Sequence, residues 1–430
     1  MPSLSRARTN LALLALALGG FGIGATEFVA MGLLPELARD LLPSLYADSP
    51  EDAIGRAGIL ISAYAAGVVV GAPTIAVFAA RLPRRGLLVA LATAFTLGTF
   101  ASAFAPTFEL VVAARFVAAL PHGAYFGVAA LVAATLMGPG NRGRGVAIVL
   151  SGLTVSNVVG VPLITALGQA AGWRIAYIAV SVIFALTVVA IRLAVPAQAG
   201  DPHATVRREL SGFARGRVWL ALMTGAIGFG GFFAVYSYVA PLSTEVTRLD
   251  ASMVPWVLVV AGLGMTIGNL AGGRLADHGP LRAVFWCFGA FVVSLVLLAL
   301  TAASPIGLFG GMFLVTAAAA ALSPAIQTRL MDVAGESQTL AAAGNHASLN
   351  LGNSLGAALG GVVIAAQWGY IAPVWVGLAL CVPGIAFALA GAAADRRPGA
   401  RPISGHGPQR SEASGRPVLD EDSVLDGATT

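Results

Sequence analysis

Long apolar stretches, each closed by a short polar or Gly/Pro-containing break, run along most of the chain. A membrane-spanning helix needs about 20 mostly apolar residues. Twelve stretches meet that length: roughly 10–34, 57–80, 86–105, 108–137, 144–170 and 174–195, then 218–246, 253–273, 282–302, 306–332, 339–366 and 370–394. The longest internal break is "PAQAGDPHATVRRELSGFARGR" at 196–217, and it separates six spans from six. From Asp395 onward the chain is rich in Pro, Gly, Ser and charge and ends "DEDSVLDGATT", a composition too polar to bury a core. The pattern predicts an all-α membrane protein of twelve transmembrane helices, six before the long break and six after it. The first bundle is 1–195 and the second 218–394, with a cytoplasmic linker at 196–217 and a disordered cytoplasmic tail at 395–430. Arg6 and Arg8 before "LALLALALGG" imitate a signal peptide, but that apolar run is too long and eleven more follow.

Composition agrees with a lipid environment. Of 430 residues, 57% are hydrophobic and 10% charged, against roughly a quarter charged in soluble domains. All 25 basic residues are arginine, which removes P-loop and Schiff-base lysine chemistry together. Their distribution sets a topology. With the N-terminus inside, 15 arginines before the tail fall on the cytoplasmic side and only four (Arg39, Arg56, Arg174, Arg248) outside. The tryptophans, Trp173, Trp219, Trp256, Trp286, Trp368 and Trp375, fall near predicted span ends as an aromatic belt would. This places the protein in the inner (plasma) membrane as a multi-pass chain with both termini cytoplasmic. Cys287 and Cys381 lie in apolar runs and read as small hydrophobes, not as a disulfide. No HExxH or Walker motif is present, and "GLGMTIGN" is no dinucleotide fingerprint because no strand precedes it, so neither an enzyme nor a cofactor or metal is expected. The arginine-rich loops suit an anionic membrane surface and not nucleic acid.

The chemistry is in the few polar residues inside the spans. Glu27 interrupts some two dozen residues that are otherwise apolar, small or glycine. A charge at mid-membrane costs about 2.5–3.5 kcal/mol on insertion scales. Arg115 lies inside the fourth predicted span, seven residues from its outer end. At about 1.5 Å per residue, both lie about 10 Å below the outer surface. Two readings stay open: a buried ion pair that fixes packing, or a carboxylate that takes up a proton with Arg115 as its partner. His122 and Tyr125 continue a polar stripe on span four, with His122 as a second proton site or a histidine bound to a backbone carbonyl. Asn157 and Asn350 are substrate ligands or interhelical glue. Phe229, Phe232, Phe233 and Tyr236 form an aromatic stripe on span seven that fits an apolar ligand. His346, toward the cytoplasmic side of span eleven, reads as structural.

The halves echo each other weakly. "GFGIGATEFVAMGLLP" at 20–35 is similar to "IGFGGFFAVYSYVAP" at 227–241, and Asn157 has a counterpart in Asn350. Over residues 8–394 the sequence resembles the major facilitator superfamily, and within it the twelve-span drug:proton antiporters of the arabinose-efflux-permease and chloramphenicol-exporter branch. "TEFVAMGLLPELARDL", "GVVVGAPTIAVFAARLPRR", "AARFVAALPHGAYFGV", "RGRGVAIVLSGLTVSNVVGVPL" and "GWR" carry the resemblance. It implies two pseudo-symmetric six-helix bundles with a central cavity and alternating access, and a functional acidic residue in span one with an arginine in span four. The expected function is proton-coupled export of small amphipathic compounds by a monomer, with sugars or similar polar metabolites as the alternative cargo. The family's gate pairs an aspartate with arginines after span two. Here Ala80 stands at the aspartate position while Arg81, Arg84 and Arg85 remain, and Asp277 in the second half lacks most of its arginines, so the gate is split or weakened. Of the antiporter motif in span five, Gly152, Gly160, Pro162 and Gly168 remain.

Overall fold

The computed structural model describes residues 5–79, 82–138, 140–199, 216–334 and 338–396. Twelve helices are long and apolar enough to cross a membrane. They are α1 (Arg6–Gly32), α2 (Pro50–Ile75), α3 (Arg84–Phe104), α4 (Phe108–Met137), α5 (Arg142–Ala171), α6 (Trp173–Ala194), α7 (Gly216–Tyr236), α8 (Ala251–Asp277), α9 (Pro280–Thr301), α10 (Pro305–Val333), α11 (Gly344–Ala365) and α12 (Ala372–Asp395). A hydrocarbon core leaves no water for backbone groups, so each span closes its own hydrogen bonds as a helix.

Local chemistry explains where the boundaries differ from the hydropathy reading. The α2 helix starts seven residues earlier than the expected 57, because Ser49 caps the N–H of Asp52 at 3.3 Å and Pro50 supplies a first-turn residue. Conversely α7 stops at Tyr236 instead of 246; a turn at Ser237–Tyr238 and two short helical turns, Val239–Pro241 and Leu242–Val246, follow. In α4, a turn at Leu120–Pro121 divides Phe108–Ala119 from His122–Met137. In α5, Pro162 follows a π-helical turn at Ser156–Gly160, the kind of bulge a proline's missing donor leaves in a helix.

The two halves repeat one packing scheme. Helix α1 packs on α5 and α6, as α7 packs on α11 and α12; α2 meets α4 as α8 meets α10; α3 meets α4 and α6 as α9 meets α10 and α12. Close approach is built in at Gly152, where any Cβ would collide with the Ala17 carbonyl of α1. Exposed apolar side chains face outward on α3, α6, α9 and α12, as at Leu97, Leu193, Trp286 and Val382, and on α5, α8 and α10, as at Leu163, Leu270 and Ile306. Helices α1 and α7 are the most enclosed, with 83% and 78% of their spanning residues buried. Five of the six tryptophans are exposed as a belt requires. Trp173 is not: it is 3% exposed, and its indole N–H donates to Asp40 at 2.9 Å.

The halves are joined toward the end of the bundle opposite the chain termini. Ser62 and Ser354 exchange reciprocal bonds, hydroxyl to carbonyl, at 3.1 and 3.2 Å. Gly55 and Gly361 abut, so that a Cβ on Gly55 would stand 2.6 Å from the Gly361 carbonyl. Gln367 donates to Ser49 and Asp52 at 3.2 and 3.3 Å, and Gln169 to the Ala251 carbonyl at 2.9 Å.

Candidate functional site

Glu27 sits on α1 five residues before its end, and it is 6% exposed. Its Oε1 accepts a hydrogen bond from Asn353 Nδ2 of α11 at 3.3 Å. The adjacent Phe28 meets the aromatic stripe of α7. It stacks on Phe233 at 6.4 Å between ring centroids and points edge-on at Tyr236 at 5.7 Å. Phe232 fills the space between Phe233 and Tyr236, with centroids 4.8 and 5.2 Å away. The carboxylate and the aromatic stripe, read separately in the sequence, therefore meet in one buried cluster across the two halves. Three polar atoms buried near it have no hydrogen-bond partner: Tyr236 Oη, Ser237 Oγ and Asn353 Oδ1. Buried polar groups in folded proteins are almost always paired, so these atoms are open positions for a ligand or water.

Arg115 is 1% exposed, and its guanidinium is distributed over three neighbours. Nε donates to the Leu60 carbonyl at 2.9 Å, and Nη1 to the Thr26 carbonyl at 3.1 Å and to Tyr177 Oη at 3.0 Å. The guanidinium carbon lies 4.7 Å from the Tyr64 ring centroid and 5.5 Å from that of Tyr177, a cation–π environment. Arg115 thus reaches the level of Glu27, as equal depth predicts, but it binds the carbonyl of the preceding residue. Among the described residues the ion pairs do not include Glu27 with Arg115. Nη2 has no partner.

Tyr64 links Arg115 to His122. Its ring lies under the guanidinium, and its hydroxyl is 3.4 Å from His122 Nδ1. Beyond His122, Phe126 lies 5.5 Å from the imidazole and stacks on His346 of α11 at 6.0 Å, another contact across the halves. Tyr125 is fully enclosed. Its hydroxyl donates to the Leu16 carbonyl at 3.0 Å, and its ring packs on Gly19, so in this state it holds α4 against α1. Asn157 joins the halves through Nδ2 and Met265 Sδ at 3.5 Å, while Asn350 bonds the His346 carbonyl of its own helix at 3.1 Å. Both keep an unpartnered side-chain oxygen.

The gate candidates lie apart from this centre. Arg81 falls outside the described residues. Arg84 donates through Nη1 to Thr135 of α4 at 3.4 Å and to Gln198 of the linker at 3.5 Å. Arg85 is half-buried at the start of α3, and Asp277 is exposed at the end of α8; neither belongs to an ion pair among the described residues. The charge cluster on that side is instead Asp395 of α12 with Arg217 of α7 and Arg329 of α10.

Sequence reading missed Asn353, Tyr64, Tyr177 and Phe28. Asn353 left a signal, since His346, Asn350 and Asn353 fall at i, i+4 and i+7 on one face of α11. The tyrosines left none, being ordinary residues of apolar helices until Arg115 is placed beside them. Outside the spans, burial raises the Glu36 carboxyl above its usual range, against its own backbone N–H and Arg39. Asp40 shifts the other way: burial opposes ionisation, but bonds from Arg174 and Trp173 outweigh it. No group of three or more His, Cys, Asp or Glu side chains among the described residues is placed to hold a metal.

The sequence profile described as Major Facilitator Superfamily matches residues 16–250 and 235–421. The chain is 37% identical over 396 residues to the inner membrane transport protein YdhP of Escherichia coli, covering 91% of this chain and 98% of that one. It is 32% identical to a chloramphenicol resistance protein of Streptomyces lividans, covering 85% of this chain and 92% of that one. In three dimensions it superposes on the human organic anion transporter MFSD10 with a TM-score of 0.64 at 15% identity, over 88% of this chain and 99% of that one. The repeated six-helix scheme and the sequence matches agree: this chain is a membrane transporter that belongs to the major facilitator superfamily.

Proposed function

We propose that the protein is a proton-coupled exporter of small amphipathic compounds, with Glu27 as the group that binds and releases the proton. The observation that carries this is the setting of Glu27. It is a carboxylate enclosed between the two halves with, among the described residues, a single amide donor and no ion pair, and with an aromatic wall beside it. An unpaired carboxylate is expensive within a bilayer, and such residues mark ion and proton routes. Rings of Phe28, Phe232, Phe233 and Tyr236 supply apolar contact, while Tyr236 Oη and Asn353 Oδ1 supply polar contacts. Asn157 and Asn350, with one open oxygen each, extend the polar lining of the substrate site. Arg115, clamped to the carbonyl of Thr26, holds a fixed positive charge near Glu27, and His122 connects to it through Tyr64. The 32% likeness to a chloramphenicol resistance protein supports outward movement of a drug-like cargo.

In this reading the termini and the arginine-rich loops are cytoplasmic. The seam at Ser62–Ser354 then closes the outer side, and the protein stands with its outer end shut. It works as a monomer in the inner membrane, with Arg81, Arg84, Arg85 and Asp277 at the cytoplasmic gate. The test is accumulation of ethidium and of chloramphenicol in bacteria lacking their main exporters. Expression lowers accumulation of at least one of them, and a protonophore restores it. Accumulation of both that rises on expression, or a lowered level that resists the protonophore, contradicts the proposal.

A further inference from the structure

We infer that the site at Glu27 selects cargo by its N–H donors: it takes protonated amines joined to an apolar body and discriminates against quaternary ammonium ions and neutral compounds. The inference rests on this cluster being the substrate site. It comes from a pattern shared by all four buried asparagines among the described residues, Asn157, Asn345, Asn350 and Asn353. In each, the amide nitrogen donates and the amide oxygen has no partner. Asn353 donates to Glu27 Oε1 at 3.3 Å, Asn350 to the His346 carbonyl at 3.1 Å, Asn345 to Gln327 Oε1 at 3.0 Å, and Asn157 to Met265 Sδ at 3.5 Å.

The neighbours fix which way these amides point. An ionised carboxylate, a backbone carbonyl and a thioether sulfur can only accept, so the nitrogen must face them in Asn353, Asn350 and Asn157. The oxygens are left over as a consequence. A buried acceptor without a partner costs about 1–3 kcal/mol. A ligand that brings donors removes that cost, and one that brings none leaves it in place.

The surroundings say what kind of donor fits. Asn350 and Asn353 lie on one face of α11, about 4.5 Å apart along its axis. Asn353 adjoins the carboxylate of Glu27, and the rings of Phe28, Phe233 and Tyr236 stand beside it. A negative charge, acceptor oxygens and aromatic rings are thus grouped together. A protonated amine answers all three, through its charge, its N–H groups and its attraction to the rings. A quaternary ammonium answers the charge and the rings but has no N–H. An alcohol offers a donor without charge. The hydroxyls of Tyr236 and Ser237, also unpartnered, can accept as well as donate. Arg115 Nη2 is an unpartnered donor nearby, and ionised Glu27 balances its charge.

The test is binding to full-length protein in lipid nanodiscs, read by isothermal titration at pH 7.5. Four probes share a 4-phenylbutyl body: the primary amine, the N,N-dimethylamine, the trimethylammonium ion and the alcohol. Alkyl amines have a pKa of about 10, as lysine does, so both amines are charged. The primary amine binds at least about tenfold more tightly than the trimethylammonium ion or the alcohol, the margin expected of a charge-assisted hydrogen bond. The dimethylamine, which keeps one N–H and differs from the trimethylammonium ion by one methyl, falls between. In Asn350→Leu and Asn353→Leu the margin of amine over trimethylammonium narrows. Equal binding of the primary amine and the trimethylammonium ion overturns the N–H requirement. Equal binding of the alcohol overturns the choice of a cation, and no binding by any probe overturns the inference as a whole. A margin that survives intact in both asparagine variants removes the asparagines from recognition; the wild-type series decides the cargo class without any substitution. Proton coupling is read separately by the accumulation assay. Export that resists the protonophore, with the amine preference intact, contradicts the coupling alone.

Discussion

Arg115 donates to the carbonyl of Thr26 at 3.1 Å and leaves the carboxylate of the next residue, Glu27, to Asn353. The arginine is a structural hub with a nearby charge. It ties α4 to α1, α2 and α6 through Thr26, Leu60 and Tyr177 while its positive charge stays close to the site. The carboxylate is thus outside any ion pair among the described residues, and the proton exchange proposed for it would not require breaking a buried pair, whose disruption costs several kcal/mol.

Removing Arg115 should therefore damage the fold as well as transport. Hydrogen bonds made by charged groups are worth about 1.5–3 kcal/mol each, and Arg115 makes three. Arg115→Ala is expected to lower the thermal unfolding midpoint by several degrees. Arg115→Lys, which cannot hold three diverging acceptors with one ammonium, should fall between. Unfolding of purified protein in detergent followed by tryptophan fluorescence checks this, and an unchanged midpoint in Arg115→Ala would remove the hub role.

The aromatic wall carries the second expectation. Phe232 contacts both Phe233 and Tyr236, so Phe232→Ala opens the wall and deletes ring contact with an apolar ligand. Binding of an exported compound should weaken by about tenfold or more, equal to about 1.4 kcal/mol. Tyr236→Phe keeps the ring and deletes the unpartnered hydroxyl, so it should weaken only ligands with a polar group. Isothermal titration or fluorescence quenching reads both variants. Equal affinity in Phe232→Ala would place the ligand elsewhere.

The twelve spans and their division into halves were legible because hydropathy reports lipid contact directly, and side chains such as Leu97, Leu163, Leu193, Trp286, Ile306 and Val382 stand outward on the bundle. Glu27 and Arg115 stood out because charge is rare in such a chain. The early end of α7 did not, since Ser237 and Tyr238 lie within an otherwise apolar run and the break is a matter of tertiary packing: Tyr238 Oη donates to the Ala357 carbonyl of α11 at 2.6 Å. The partner of Glu27 was equally hidden. Depth along a helix can be counted from sequence, but which of Asn345, Asn350 and Asn353 turns toward α1 depends on how α11 is rotated, and only Asn353 does so.

Outside the membrane, Asp40 gives a pH-dependent prediction. Its carboxyl is held below the usual range, burial being outweighed by the bonds from Arg174 and Trp173. A depressed folded-state value means stability that is present above the unfolded value of about 4 and lost as pH falls through the lower folded one. Asp40→Asn should then lower the unfolding midpoint modestly at pH 7, with the gap to wild type closing as the pH is taken below about 4. The side chain is 46% exposed, so solvent screening keeps the effect small. A gap that stays constant with pH would assign the effect to packing instead.

The seam yields a crosslinking prediction. Ser62 and Ser354 exchange bonds at 3.1 and 3.2 Å, so a Ser62→Cys, Ser354→Cys pair should form a disulfide under mild oxidation and arrest transport until reduced. Transport that continues in the crosslinked protein would show that this end need not open.

Proton coupling through Glu27 is the proposal on which the other expectations depend. It is tested most directly by proton flux in liposomes loaded with a pH-sensitive dye, driven by a gradient of a compound that the protein exports from cells. Wild type should move protons against the compound, Glu27→Asp should keep part of that flux, and Glu27→Gln should lose it while still binding a neutral compound. Full substrate-driven proton flux in Glu27→Gln would contradict the account, leaving Glu27 as a packing residue and His122 as the group to examine.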